Sequence, residues 1–404
     1  MLLAKIAFRN VFRQKRRSLL TGLTMIGGFV MLSLSISISD GTYDQAIEAF
    51  TLSSTGHVQI HRAGYLEKPT LFNTFTDADA IGAKVMEVEG VESWTPRVFS
   101  PALTFIGSKT TVARIVGIDP VREPETTHIR EKIGQGRMFG PEPAKEAMIG
   151  GGLAEVLNAK PGDELVLIAQ GADGSIANDL FKIVAVLKGG INTAEARNCY
   201  LQLQTAQDFL VLPGRYHELV VTLNDFRRSR RAAKEIARVL NDPRLEVEPW
   251  EVIERPFYRA MMADKEGMWV SLLIIIVIVA IGVLNTVLMS ILERTREYGV
   301  LKALGTRPGA LFKLILLETT FLAVLAVVLG TLISLGVDHY MSLHGISYPE
   351  AIDMGGIMLS TMQGTINLRV IALPALVTFF TALLVSVIPA VRAMRIKPVQ
   401  AMRL

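Results

Sequence analysis

Residues 269–292 read Trp-Val-Ser-Leu-Leu-Ile-Ile-Ile-Val-Ile-Val-Ala-Ile-Gly-Val-Leu-Asn-Thr-Val-Leu-Met-Ser-Ile-Leu, and residues 293–305 continue Glu-Arg-Thr-Arg-Glu-Tyr-Gly-Val-Leu-Lys-Ala-Leu-Gly. The first stretch carries no charge and exceeds the roughly 20 apolar residues that cross a bilayer as a helix. A second apolar run follows at 311–337. The pair predicts two spans joined by a short loop. Glu293, Arg294, Arg296, Glu297, Lys302 and Arg307 then share one face of a membrane.

The rest of the composition agrees. Of 404 residues, 50% are hydrophobic, and the mean hydropathy is +0.37. The apolar residues come in long blocks rather than in period 2 or 3.6, which indicates membrane helices and not one large soluble core. The net charge of +4 is small, but Lys and Arg gather at the ends of the blocks. Cys199 is the one cysteine, so no intrachain disulfide can form. In Arg-Asn-Cys-Tyr-Leu-Gln-Leu it reads as a half-buried strand residue.

Residues 1–18 contain Lys5, Arg9, Arg13, Lys15, Arg16 and Arg17 and no acid. Lys5, Arg9, Arg13 and Arg17 recur every four residues and make one helical face cationic. Leu3, Ala7, Phe8, Val11 and Phe12 fall largely opposite, as in a short amphipathic helix on an anionic leaflet. The next apolar run, 19–38, is long for a signal peptide, and no Ala-x-Ala site follows, so a retained first span is expected.

From 39 to 268 no segment is apolar enough to span. Positive-inside counting places residues 1–18, the loop 293–310 and the tail 392–404 in the cytoplasm, the tail carrying Arg392, Arg395, Lys397 and Arg403. The 39–268 domain and the 338–369 loop, with Asp338, Glu350 and Asp353 against Arg369, then lie outside. The expected architecture is an α-helical membrane protein with four spans, 19–38, 269–292, 311–337 and 370–391. A large α+β extracytoplasmic domain sits between the first and second. Pro374 and Pro389 are expected to kink the fourth span or mark its ends.

Within 39–268, residues 40–50 and 256–268 read as helical continuations of the spans, a stalk. Two β-α-β units, at about 55–95 and 215–250, suit one ferredoxin-like, porter-type lobe. The β-rich segment 98–212 is expected to insert between them as a second lobe, with a hairpin turn at Asp173-Gly174.

Chemical motifs are few. Gly150-Gly151-Gly152 opens a helix, but no Gly-Lys-Ser/Thr follows, so a structural turn is expected and no Walker A pattern exists. His57 and His61 share a strand face; two histidines do not make a metal site. No Gly-x-Ser-x-Gly, His-Glu-x-x-His or Cys-x-x-Cys occurs. No catalytic, metal-ligating or cofactor-binding set is expected, and nothing points to nucleic acid. Glu318, near the inner end of the third span, is expected to contact the loop or the interface rather than to relay protons. The loop itself keeps an apolar stripe, Tyr298, Val300, Leu301 and Leu304, beside its charges. A merely solvated loop does not need one, whereas a short helix docking in a partner's groove does.

These residues resemble a known family. Residues 293–305, the tail Pro-Ala-Val-Arg-Ala-Met-Arg-Ile-Lys-Pro-Val-Gln-Ala-Met (389–402) and the start Ala-Phe-Arg-Asn-Val-Phe-Arg-Gln-Lys-Arg-Arg-Ser-Leu-Leu (7–20) resemble FtsX-like permeases of the MacB and LolC/LolE type. Residues 149–163, Ile-Gly-Gly-Gly-Leu-Ala through Lys-Pro-Gly-Asp, are similar to the periplasmic domain of that group.

The resemblance implies a non-catalytic inner-membrane subunit of an ABC transporter working by mechanotransmission. ATP and Mg would be bound by a separate cytoplasmic ATPase of the MacB/LolD kind. A second permease copy or a related permease would complete a dimer. A periplasmic partner or lipoprotein, and membrane lipid, would be the other contacts. Lipoprotein release or lipid transport is the leading expectation. Efflux of peptides or drugs, or FtsX-like signalling to a cell-wall hydrolase, are alternatives. Glu293, Arg294, Arg296, Glu297, Val300, Leu301 and Leu304 are the expected ATPase contact.

Overall fold

The computed structural model describes residues 2–13, 15–188, 194–354 and 357–397. Residues 398–404 of the tail, with Arg403, lie outside the described residues, as does Gln14 in the N-terminal basic segment. The chain divides into two compact units. One comprises Met1–Gln45, Ala260–Ala351 and Ser360–Leu404; the other comprises Ala46–Arg259 and Ile352–Leu359.

The helices of the first unit begin with α1 (Leu2–Arg13) and α2 (Lys15–Phe50), the latter running on into the second unit. Thr51–Thr55 then form one π-helical turn.

The second unit carries ten strands in one sheet. In chain order come β1 (Val58–Arg62), α3 (Ala78–Val85), β2 (Val91–Ile106), β3 (Lys109–Ile118), α4 (Glu123–Thr126), β4 (Ile133–Gly136) and β5 (Glu146–Ile149). Then follow α5 (Gly151–Leu157), β6 (Glu164–Gln170), β7 (Ile176–Leu187), β8 (Asn198–Gln202), α6 (Leu203–Phe209), β9 (Glu218–Leu223), α7 (Ser229–Leu240), β10 (Leu245–Pro249) and α8 (Trp250–Ile253).

The strand order at one end is β10-β1-β9-β2, with β1 antiparallel to β10 and β9, and β9 antiparallel to β2. This is the ferredoxin-like arrangement of two β-α-β units. Its helices bury one stripe each: Ala78, Gly82 and Val85 on α3; Ala232, Ala233, Ile236 and Leu240 on α7. They close over Val58, Ile60, Leu219 and Val221.

The segment between the units does not form a separate sheet. Strand β2 is 16 residues long. Its first part pairs with β9, and its last part pairs with β3 and β6. Two cores lie along this single sheet, one around Ile115, Ile149, Leu153, Phe181 and Leu201, the other around Phe99, Val116, Met148 and Tyr200. The Asp173-Gly174 turn joins β6 to β7, with Gly174 at φ +86°. Cys199 is fully buried in β8, not half-buried, and burial pushes its thiol up to about 12. Gly150 has a packing reason of its own: a Cβ there would meet the Ala196 carbonyl oxygen at 2.5 Å.

The remaining helices of the first unit are α9 (Arg255–Glu293), which starts in the second unit, α10 (Thr295–Ala303), α11 (Pro308–His344) and α12 (Leu368–Met394). Between α11 and α12 lies a hairpin, β11 (Ile346–Met354) and β12 (Ile357–Met362). Among the described residues, four helices are long and apolar enough to cross a membrane. In three of them only 22% of the most apolar window is buried, so most of that apolar surface faces outward, as helices in lipid require.

Two sequence expectations change here. Residue 338 is not in a loop: α11 runs on to His344 and stops where Gly345 adopts φ +62°, so Asp338 is a buried residue of the third span. Neither Pro374 nor Pro389 ends the fourth helix; both lie inside α12. Pro374 has no N–H to give the Val370 carbonyl, and the Ser33 hydroxyl of α2 donates to that oxygen instead, at 3.1 Å. The same hydroxyl lies 2.8 Å from Asp338 Oδ2, so α2, α11 and α12 meet there.

Candidate coupling site

The charged segment after α9 folds as the sequence spacing predicts. Helix α9 stops at Glu293, and Arg294 leaves helical geometry at φ −100°, ψ 8°. Helix α10 then runs for nine residues. It ends in a Gly C-cap: Gly305 sits at φ +94°, and the Thr306 amide donates to the Leu301 carbonyl at 3.0 Å. Arg307 is extended, and Pro308 starts α11, where its missing N–H costs nothing.

Six of the seven expected docking residues face outward: Glu293, Arg296, Glu297, Val300, Leu301 and Leu304. Leu304 is 79% exposed. Charges and aliphatic side chains thus lie side by side on one short surface.

Arg294 is the exception and is buried. Its Nη1 donates to both oxygens of Glu318 on α11, each at 3.2 Å, and its Nε donates to Glu297 Oε2 at 3.0 Å. Its guanidinium lies 5.1 Å from the centre of the Tyr298 ring, which is fully buried. The periodicity carried this signal: 294 and 298 are four apart and share the inward face of α10. Glu318 contacts the loop, as expected, and a third segment joins it. Asn10 of α1 donates through Nδ2 to Glu318 Oε1 at 2.6 Å. At the other end of α10, Lys302 Nζ donates to the carbonyls of Met394, the last residue of α12, and Ile396, just past it, at 2.8 and 2.7 Å. Neither Asn10 nor Lys302 was marked by residue type. The available hint was that Asn10 interrupts the Ala7–Val11 stripe, the part of α1 that is buried. Phe8 and Phe12, of the same predicted apolar side, are instead exposed.

Comparisons place the chain in a family. The profile of the MacB-like periplasmic core domain matches residues 18–239, more than half of the chain. The profile of the FtsX-like permease C-terminal region matches 269–398. The chain belongs to the MacB/FtsX-like family of ABC transporter permeases.

Among the relatives of this permease is the lipoprotein-releasing system transmembrane protein LolC of Neisseria meningitidis. It is 21% identical over 420 residues, covering 99% of this chain and 98% of that one. The macrolide export ATP-binding/permease protein MacB of Campylobacter jejuni is 20% identical over 421 residues, covering 98% of this chain and 60% of the relative. Two solved structures are also similar. The extracellular domain of the transporter YknZ is 15% identical, covering 48% of this chain and all of that one, with a TM-score of 0.36. The periplasmic region of MacB from Actinobacillus actinomycetemcomitans is 13% identical, covering 53% and 98%, with a TM-score of 0.38.

The second unit holds a different polar cluster. Arg97 on β2 donates to Glu123 through Nε at 3.1 Å and Nη2 at 2.5 Å, to the Ser54 carbonyl at 2.6 Å and to Glu218 at 3.3 Å. Glu218 also faces His61, with Nε2 at 3.6 Å, beyond hydrogen-bond reach. Burial pushes the Glu218 carboxyl up, but His61, Arg97 and Arg114 outweigh it, and the net shift is downward. These groups line a cavity of about 260 Å³ that also takes in Glu254, whose carboxyl is raised by burial first and by Glu218 second. His57 and His61 are both buried; the His57 Nδ1 accepts from the Leu223 amide at 2.9 Å. Among the described residues, no group of three or more His, Cys, Asp or Glu is placed to hold a metal ion.

Proposed function

We propose that this permease couples ATP hydrolysis by a cytoplasmic ABC ATPase to work on a hydrophobic or lipidated substrate at the periplasmic face of the inner membrane. Lipoprotein release or lipid transport is the leading case. The observation that carries the reading is the outward face of α10, with three exposed aliphatic side chains beside Glu293, Arg296 and Glu297 on a helix joining two spans. Such a face is costly to leave in water and suits a groove on a partner. The ATPase is taken to be a separate chain of the MacB/LolD kind, ATP and Mg being its ligands. In support, the relative matched over nearly its whole length is named a transmembrane protein of a system, whereas the relative matched over 60% is named ATP-binding and permease together. The permease is then a non-catalytic subunit, paired with a second copy or a related permease.

The test reverses charge on the docking face. Glu293→Lys with Glu297→Lys brings like charges against the partner's surface and lowers nucleotide-dependent coupling by about tenfold or more, with membrane insertion unchanged. Full co-purification and full ATPase stimulation by that variant would remove α10 as the docking element. Mass spectrometry of the detergent-extracted complex separates lipoprotein or lipid cargo from a soluble hydrolase partner.

A further inference from the structure

One carboxylate, Glu318, joins three segments far apart in the chain: α1 through Asn10, the start of α10 through Arg294, and its own helix α11. The node is sheltered, its arginine and glutamate side chains being 10% and 15% exposed. A charge-assisted pair in that setting is less screened than a surface pair; removing Glu318 leaves Arg294 with Glu297 only, and removing Arg294 leaves the Glu318 charge with the neutral Asn10 amide. The far end of α10 is tied separately to α12 through Lys302. Helix α10 is therefore held at both ends, by different spans. The link from α9 to α10 runs through Arg294, whose backbone leaves helical geometry while its amide still donates to the Ser290 carbonyl at 3.2 Å, so its side-chain bond to Glu318 is the tie from this joint to another span.

We infer that Glu318 is a positioning residue that locks α1 and α10 to the third span, so that a displacement of α10 is delivered to α1 and α11 together instead of being absorbed by bending at Arg294. The inference rests on the reading of α10 as the element that receives the ATPase. It assigns the N-terminal amphipathic helix a part in transmission, with Asn10 as its contact. Lipid anchoring alone would give α1 no need for a polar side chain on its buried stripe.

The experiment uses the full chain in nanodiscs, alone and with the ATPase that co-purifies with it. Cysteines replacing Lys5 and Ala303, both exposed, carry spin labels, and the native Cys199 is fully buried. In the wild type, the 5–303 distance distribution is narrow and does not change between nucleotide-free and vanadate-trapped states. Glu318→Leu broadens it and lowers nucleotide-dependent stimulation by about tenfold while co-purification persists. Asn10→Leu broadens the distribution with a smaller loss. The exchange Arg294→Glu with Glu318→Arg restores a narrow distribution, which a simple packing role of either side chain does not predict. Should Glu318→Leu fail to insert, Glu318→Gln and Asn10→Leu carry the test. Distributions and stimulation equal to wild type in those two variants overturn the inference. If the wild-type chain binds no ATPase, the functional reading fails first; an unbroadened distribution in the chain alone overturns only the node.

Discussion

Arg97 shows how much one side chain can hold in the second unit. It is 7% exposed and faces two carboxylates, Glu123 and Glu218, that are themselves buried. Arg97→Met takes from both acids the guanidinium that hydrogen-bonds them, at a cost of roughly 3–5 kcal/mol to the folded unit. Thermal unfolding followed by the fluorescence of Trp94 and Trp250 measures it, and adding Glu123→Gln recovers part of the loss. Two histidines set the response to acid. Burial lowers His57 and His217 from 6.5 to about 4, in His217 against the opposing pull of the Leu71 carbonyl. Above pH 6.5 both are neutral folded or unfolded and contribute no difference. Between 6.5 and 4 the unfolded chain takes up protons that the folded one refuses, so stability falls with pH, by at most roughly 3 kcal/mol for each histidine. Glu254 and Glu248, raised chiefly by burial, act in the opposite sense and offset part of this. A melting temperature that stays flat from pH 7 to 4.5 contradicts the assignment. Replacing both histidines by Gln flattens the slope whatever it does at pH 7.

The membrane helices depend on close approach. A Cβ on Gly28 would meet Val279 Cγ2 at 2.1 Å, and Val279 is buried, so α2 and α9 pack through a position where no side chain fits. Gly28→Val forces them apart. It lowers the yield of monodisperse protein in detergent several-fold, whereas Gly27→Val, with nothing within 4 Å of its Cβ, leaves it unchanged. At this scale the sequence was readable wherever a pattern was local. Apolar runs marked the four helices, Gly305 and Pro308 marked the joint between α10 and α11, and alternation at 57–61 marked β1. What depended on distant partners was not. The length of β2, which merges the two expected lobes into one sheet, is set by pairing with β9, β3 and β6 in turn. Asp338 looked like a loop acid because a charge ends an apolar run; Ser33, more than 300 positions earlier, is what lets it stay inside. Arg294 looked like surface because Arg usually is, and Glu318, 24 residues later, draws it in.

The whole chain must choose a side of the membrane, and the charges argue for one. Lys5, Arg9, Arg13, Lys15, Arg16 and Arg17 precede or begin the first long helix, Arg296, Lys302 and Arg307 follow the second, and Arg392, Arg395 and Lys397 follow or end the fourth. Moving Asp338 into α11 removes one acid from the opposite side, but Glu350 and Asp353 still stand there against Arg369, whose guanidinium is 3.5 Å from Asp40. Positive-inside counting therefore gives the expectation that the basic segments are cytoplasmic and the ten-stranded unit is outside. Cys199, the one cysteine, is fully buried, so a thiol introduced elsewhere reports alone. Lys160→Cys and Arg307→Cys both place it on an exposed position. In intact cells with a permeable outer membrane, an impermeant maleimide labels position 160 and spares 307 until the inner membrane is opened. Labelling of 307 with protection of 160 reverses the orientation. It would also put α10 on the side without ATP, where the docking reading of Val300, Leu301 and Leu304 has no partner to meet.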